Sequence, residues 1–107
     1  MIIKETHIFT RIIKELMPDD LYQEFQEFLI KDPSVGDIIK GSSGLRKIRW
    51  NLPAQGKRGG VRIIYYWLNS KDEIFMIYAY RKNRQENLTN EQLKLLKQIV
   101  EEELEDE

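Results

Sequence analysis

One arginine stands inside the most hydrophobic segment of this sequence. Arg62 lies in Val61–Leu68, a run rich in β-branched and aromatic residues that is typical of a strand. A guanidinium buried without a partner is costly, so this position calls for a ligand or a counter-charge. An arginine fixed on a strand can grip a phosphate in bidentate geometry. The structural alternative is a salt bridge to a helix carboxylate, Glu24 or Glu27, and periodicity alone does not decide between the two.

A second group of cations lies on residues 45–52, which also alternate like a strand. Alternation places Lys47 and Arg49 on one face, and Arg46 on the other with Ile48, Trp50 and Leu52. Lys47 and Arg49 are then ~7 Å apart along the backbone, and a phosphate that neutralises both is a natural ligand. If this strand pairs antiparallel with Val61–Leu68, Arg49 comes close to Arg62 on a rigid sheet. A solvated basic strand without a ligand is the alternative.

Further basic residues indicate that the ligand is a nucleic acid. The glycine-rich loop at 53–60 carries Lys57 and Arg58, but it lacks the spacing of a P-loop and no helix follows it. We interpret it as a basic loop that touches a nucleic-acid backbone. Most tyrosines are expected to pack in the core, whereas Tyr80 is expected to stack on a base because it borders a basic segment. That segment supplies further candidates, Arg81, Lys82, Asn83 and Arg84.

The distribution of charge supports binding of a polyanion although the net charge is only −1. Residues 38–71 contain eight basic and no acidic residues. Residues 1–37 contain four basic against eight acidic residues, and residues 85–107 contain two against eight. If the central strands lie together, one side of the protein is positive. Pairing of these cations with the acidic helices is the alternative.

Composition narrows the possible chemistry. The chain has 107 residues, no cysteine and one histidine, His7, so we expect one domain, 1–107, with no disulfide, metal or cofactor. His7 is only a weak candidate for a general base, because nothing in the sequence brings it near the cations. No apolar run approaches the about 20 residues of a membrane span, and the N-terminus is unlike a signal peptide. We therefore expect a cytoplasmic protein that does not engage a membrane.

The elements that must position these residues follow the order β-α-α-β-β-β-α. We predict strands at 2–9, 45–52, 61–68 and 74–80, the last three forming an antiparallel β-meander. Thr10 is expected to cap a helix that Pro18 ends, and Asp20 a second helix that stops before Asp32-Pro33. These two helices form an N-terminal αα-hairpin. A C-terminal helix begins with the capping box Thr89-Asn90-Glu91-Gln92. The fold class is therefore α+β.

Three segments resemble the core strands of RelE-superfamily toxins. They are Gly-Leu-Arg-Lys-Ile-Arg (44–49), Gly-Lys-Arg-Gly-Gly-Val-Arg-Ile-Ile-Tyr-Tyr (56–66) and Ile-Tyr-Ala-Tyr-Arg-Lys-Asn (77–83). Residues 44–66 are especially similar to the HigB branch, and the similarity in element order covers nearly the whole chain.

The resemblance implies a RelE-like fold and a toxin of a toxin–antitoxin module. Such a toxin enters the ribosomal A site, against 16S rRNA, and cleaves the mRNA there. The mRNA 2′-hydroxyl attacks the adjacent phosphate without a metal, and cations stabilise the phosphorane. The implied catalytic residues are Lys47, Arg49, Arg62 and Lys82. The implied protein partner is an antitoxin, through which the complex binds operator DNA.

Two positions depart from the pattern of these toxins. Some members have a lysine where this chain has Arg49, and arginine, with a pKa above 12, is a poor base. Lys47 is the candidate base if the neighbouring cations lower its pKa. Thr89 stands roughly where some members carry a C-terminal tyrosine.

Two other functions remain open. A ParE-like sibling of the same fold would inhibit DNA gyrase by binding and would cut nothing. A non-toxic basic domain would act only in transcriptional regulation with a partner. The clustered Lys47, Arg49 and Arg62 favour the nuclease, because a pure inhibitor has no need of a phosphate clamp.

Overall fold

A five-stranded sheet with helices on both faces forms the framework of the protein. It is seen in a computed structural model that describes residues 1–51 and 60–104. The strands are β1 (Ile2–Glu5), β2 (Asp37–Ile38), β3 (Arg46–Trp50), β4 (Val61–Leu68) and β5 (Glu73–Arg81). The helices are α1 (His7–Leu16), α2 (Asp19–Lys31) and α3 (Asn90–Ile99), and α3 continues as a π-helical segment, Val100–Leu104. A short 3-10 turn, Asn69–Lys71, joins β4 to β5.

The order of the strands in the sheet is β1-β5-β4-β3-β2. β3, β4 and β5 pair antiparallel in sequence order, so the predicted meander is confirmed. β1 adds to β5 in parallel, and β2 adds a two-residue antiparallel pairing outside β3. The α+β class is confirmed, with β2 as an element that the sequence did not predict.

The N-terminal boundaries differ from the prediction. β1 ends at Glu5, and α1 begins at His7 with Thr6, not Thr10, as its N-cap. The Thr6 hydroxyl accepts from the Phe9 backbone N–H at 3.0 Å and donates to the Ile77 carbonyl of β5 at 2.9 Å. An early helix start buries Phe9 and Ile13, one turn apart, against the sheet.

The start of the second helix also differs. Pro18 is the N-cap of α2, and Asp20 lies inside the first turn instead of capping it. Proline suits this end because its nitrogen has no hydrogen to leave unsatisfied, and the two aspartates favour the positive end of the helix dipole. The αα-hairpin itself is present, with Met17 and Pro18 between the helices.

Alternation along β4 separates two cores. On one face, α1 and α2 pack over alternate residues of the sheet; this core includes Phe9, Ile13, Phe25, Leu29, Val61, Ile63 and Tyr65. On the other face, Leu96 of α3 and Val100 of its π-helical continuation pack over Leu45, Ile64, Ile77 and Tyr80 of the sheet side. The faces predicted for residues 45–52 are confirmed over the described part of that strand, because Ile48 and Trp50 pack on the first core and Leu45 lies in the second. We call the second face the α3 face.

A β-bulge in β5 changes which residues reach the α3 face. Ile64 pairs with Tyr78 and Tyr65 pairs with Met76, so Ile77 is an extra residue in β5. Phe75 and Ile77 lie on the α3 face before the shift, whereas Tyr78 and Tyr80 lie there after it. The bulge therefore sends Arg81 to the opposite face and puts Tyr80 beside β4 residues of the α3 face.

Candidate functional site

A row of three polar side chains crosses the α3 face at the end of the meander. Arg62 of β4 pairs with Arg49 of β3 on one side and with Tyr80 of β5 on the other. Directly opposed residues of antiparallel strands have Cα atoms about 4.5–5.5 Å apart. The structure therefore brings Arg49 and Arg62 together, as antiparallel pairing requires.

Lys47 lies two residues before Arg49 on the same face of β3. Its Nζ donates to Asn87 Oδ1 at 3.3 Å. Asn87 belongs to the segment between β5 and α3, so this segment crosses β4 to reach β3. We call Lys47, Arg49 and Arg62 the cationic cluster. Asn87 was not among the sequence candidates; the only signal for it was the polar composition of residues 81–87.

Gly60 lies beside the stem of Arg49 and closer still to the side chain of Asn51. A Cβ added at Gly60 would lie 3.7 Å from Arg49 Cγ and 3.2 Å from Asn51 Oδ1. The carbonyl of Gly60 accepts from the Lys82 backbone N–H at 3.0 Å. The β4–β5 pairing thus continues for one residue, and alternation places the Lys82 side chain on the α3 face at this same end of the sheet.

Arg62 has no counter-carboxylate in the described part of the chain. Its side chain is half-buried, and its Nε is fully buried without a hydrogen-bond partner among residues 1–51 and 60–104. Glu24 and Glu27 are exposed on α2, which packs on the opposite face of the sheet. The salt bridge from Arg62 to Glu24 or Glu27, the structural alternative, is therefore not formed. The Nε–H of Arg62 can still donate a hydrogen bond to a ligand.

Tyr80 does not present its ring for stacking. The residue is 5% exposed, and its ring packs against Tyr78, with centroids 6.1 Å apart, beneath α3. The predicted stacking role is thus corrected, because a base cannot reach a buried ring. The hydroxyl is also buried and has no hydrogen-bond partner in the described chain. Burial raises the pKa of Tyr80, and the nearby charge of Arg62 partly offsets this.

Arg46 lies apart from the cationic cluster, on the face covered by α1 and α2. Its Nη1 donates to the carbonyls of Ser34 at 3.0 Å and Gly36 at 2.8 Å. Its guanidinium also lies over the Trp67 ring, 5.9 Å from the centroid. These contacts hold the loop before β2, so we leave Arg46 out of the nucleic-acid site for which it was a candidate.

Arg81 and Arg84 also fall outside the cationic cluster. Arg81 Nη2 donates to the Glu15 carbonyl in the last turn of α1 at 3.2 Å, where a cation favours the helix dipole. Both arginines line a groove of about 340 Å³ between α1 and the end of β5. Asn83 is exposed in the turn that follows β5. The predicted contacts of Lys57 and Arg58 lie outside the described residues.

The histidine and the carboxylates of the described chain do not form a metal-binding group. Within residues 1–51 and 60–104, no three His, Asp or Glu side chains come together in a group that could bind a metal ion. His7 is exposed at the first position of α1. None of the helices described there is long and apolar enough to cross a bilayer.

A comparison with protein families decides the classification. The model of a family described as the RelE toxin of the RelE/RelB toxin–antitoxin system matches residues 3–106. The chain belongs to the RelE toxin family. Its place in the HigB branch stays a prediction.

Two solved structures share the fold of this RelE-family toxin. A double arginine-to-alanine mutant of E. coli RelE in the free state matches with a TM-score of 0.53 and 16% identity, covering 79% of this chain and 86% of that one. The intact E. coli RelBE toxin–antitoxin complex matches with a TM-score of 0.51 and 15% identity, covering 75% and 94%. At these identities the likeness establishes the fold alone.

Proposed function

We propose that this RelE-family toxin is a ribosome-dependent endoribonuclease of the HigB type that cleaves mRNA codons in the A site. One observation carries the proposal: the cationic cluster is built on two adjacent strands of one rigid face. None of its three members forms a salt bridge to a carboxylate within the described residues. Three neighbouring cations without counter-charges are matched by a ligand that carries concentrated negative charge.

The proposed reaction is an internal phosphoryl transfer within the mRNA. The 2′-oxygen forms a bond to the adjacent phosphorus, the bond from phosphorus to the 5′-oxygen breaks, and the 2′-proton leaves while the 5′-oxygen gains one. The products are a cyclic phosphate and a 5′-hydroxyl. Arg49 and Arg62, permanently charged, stabilise the charge that develops on the phosphorane. Lys47 is the proposed acceptor of the 2′-proton, a role that requires its neutral, deprotonated form, and Lys82 is a further phosphate contact.

The proposed partners follow from the same surface. The ribosomal A site, with 16S rRNA, and the mRNA are polyanions that a positive face attracts. The E. coli RelBE structure is a complex of a toxin with its antitoxin, which supports a cognate antitoxin as the partner that restrains this toxin. We propose that the antitoxin covers or neutralises the cationic cluster, and that the complex binds operator DNA through the antitoxin.

A translating extract tests the proposal. We expect the wild-type toxin to produce codon-spaced cuts in mRNA only when ribosomes are present. Arg62→Ala should reduce the rate of cutting by about 100-fold or more, because it removes a preorganised donor to the phosphorane. Arg11→Ala is the matched control, since Arg11 is exposed on α1 and also loses one arginine charge.

The other outcomes of this assay separate the rival functions. Inhibited supercoiling of plasmid DNA without mRNA cuts would indicate the ParE-like activity on gyrase. Neither effect would indicate a basic binding domain without toxicity. Cutting at the wild-type rate by a folded Arg62→Ala variant would contradict the assignment of the site.

A further inference from the structure

We infer that the Tyr80 hydroxyl is a second hydrogen-bond donor to the phosphate that Arg62 binds, so that the two side chains form one oxyanion subsite. The inference rests on the proposed function for the identity of its ligand, an RNA phosphate. It assigns Tyr80 a polar contact through its hydroxyl, while the ring stays packed beneath α3. Because this hydroxyl and Arg62 Nε are both closed to solvent in the free protein, the phosphate reaches them only when the half-buried Arg62 side chain moves.

The positions of the two groups support a shared ligand. Arg62 and Tyr80 are directly paired residues of β4 and β5, and both side chains lie on the α3 face. Within residues 1–51 and 60–104, four side-chain polar atoms are buried without a hydrogen-bond partner, and Arg62 Nε and Tyr80 Oη are two of them. Of the other two, Glu73 Oε2 has an ion pair with Lys4 at 2.8 Å, and Trp67 belongs to the core on the opposite face.

Unpaired buried polar groups are uncommon because each loses its hydration without compensation. Two unpaired buried groups on directly paired residues are therefore not expected from chance defects in packing. The Nε–H of arginine can only donate, and the hydroxyl of tyrosine can donate. An oxygen with several lone pairs and a negative charge satisfies both donors at once, and hydrogen bonds to charged groups are the stronger ones.

The chemistry of Tyr80 fits a donor. Burial favours its neutral form, so at neutral pH the hydroxyl carries the proton that it donates. The β-bulge at Ile77 is what brings this tyrosine to the face of Arg62. As negative charge develops on the phosphorane, both hydrogen bonds strengthen without any transfer of a proton from Tyr80.

The experiment measures phosphate binding by the isolated toxin, without ribosomes. The Arg62 Nε–H signal is followed by nuclear magnetic resonance during titration with inorganic phosphate, and in parallel with acetate. Tyr80→Phe removes only the hydroxyl and keeps the packed ring. Tyr78→Phe is the matched control, because Tyr78 lies on the same strand and face but its hydroxyl already accepts from Gln92 Nε2 at 3.3 Å.

We expect phosphate, more than acetate, to shift the Arg62 Nε–H signal. Tyr80→Phe should weaken phosphate binding about tenfold or more, while Tyr78→Phe changes it less than about twofold. Unchanged phosphate affinity in a folded Tyr80→Phe variant would overturn the inference. Acetate that binds as tightly as phosphate, or an Arg62 signal that phosphate does not move, would overturn it as well.

The two proposals fail in distinguishable ways. If phosphate binding depends on Tyr80 but the extract shows no cuts in mRNA, the oxyanion subsite stands and the nuclease assignment fails. If the wild-type toxin cuts mRNA and Tyr80→Phe cuts it at the same rate, the nuclease stands and the role of Tyr80 fails.

Discussion

At the scale of single residues, two buried tyrosines show how differently the same side chain is used on the two faces of the sheet. The Tyr65 hydroxyl donates to the Pro33 carbonyl at 2.7 Å and accepts from the Gly36 N–H at 2.9 Å. The Tyr80 hydroxyl has no such partner in the described chain. A satisfied buried hydroxyl stabilises the fold, whereas an unsatisfied one destabilises it.

Tyr80→Phe is therefore expected to stabilise the unliganded toxin. The free energy of unfolding should rise by about 1 kcal/mol, because an unpaired buried hydroxyl is removed and the ring is kept. Tyr65→Phe, the control, should lower the same quantity by about 1–2 kcal/mol. Urea denaturation at neutral pH measures both. Equal destabilisation by the two substitutions would show that the Tyr80 hydroxyl is bonded in solution.

The sequence predicted part of this site for physical reasons. Arg62 was recognisable because a guanidinium in an apolar strand is costly, and Lys47 and Arg49 because strict alternation put them on one face. The sequence did not predict which of Tyr80 and Arg81 lies on the face of Arg62, because this depends on the bulge at Ile77. A bulge of this kind has no residue signature when no glycine marks it.

At the scale of elements, the start of α3 shows local chemistry that the sequence did predict. The Thr89 hydroxyl accepts from the Gln92 N–H at 3.1 Å, and Gln92 Oε1 accepts from the Thr89 N–H at 3.0 Å. The predicted capping box is therefore confirmed. Because its hydroxyl is engaged in the cap, Thr89 has a structural role in the described chain.

Thr89→Ala should lower the free energy of unfolding by about 1 kcal/mol, since it removes an N-cap. Thr89→Ser, which keeps the hydroxyl, should cost only a few tenths of that. Thermal or urea denaturation measures the difference. In the extract assay, neither variant should alter the rate of cutting at a temperature where both are folded; a large loss with Thr89→Ala alone would assign its hydroxyl to the reaction.

Elements whose bounds depend on pairing with another element were predicted less well. The predicted first strand, 2–9, is too long because the apolar residues within 2–9 fit a strand as well as a helix. Thr6 could not be identified as the N-cap of α1 without its hydrogen bond to Ile77 on β5. β2 is only two residues long and exists through its pairing with Arg46 and Lys47. The cap is decided by a partner 71 residues away along the chain, whereas β2 is a pairing too short to leave an alternating pattern in the sequence.

At the scale of the whole molecule, helices cover the two faces of the sheet to different extents. α1 and α2 cover one face with a continuous apolar core, which fixes the meander. On the other face, α3 covers only part of the sheet, and Arg49 stays exposed at the uncovered end. A rigid sheet with one open, basic end suits the proposed phosphate site, because strands position side chains more accurately than loops do.

The same layers bury tyrosines, and this predicts how the whole molecule responds to alkaline pH. Burial raises the pKa of Tyr65 and Tyr80, and burial together with a hydrogen bond to Glu5 raises that of Tyr22. In the unfolded chain these groups ionise near pH 10. Because the folded state holds the protons more tightly, their contribution to stability is complete below pH 10 and is lost as pH rises above it.

We therefore expect the free energy of unfolding to fall above pH 10 by up to about 1.4 kcal/mol per pH unit for each of these three tyrosines. Urea denaturation between about pH 8 and 11 measures how steeply the free energy of unfolding falls with pH. Tyr22→Phe should make this fall less steep by up to about 1.4 kcal/mol per pH unit, because one titrating tyrosine is removed. The ultraviolet absorbance of phenolate gives an independent reading in the folded protein. If all five tyrosines of the folded chain ionised with a midpoint near pH 10, the three rings would have to be accessible to water, and the packing of Tyr80 beneath α3 would be refuted.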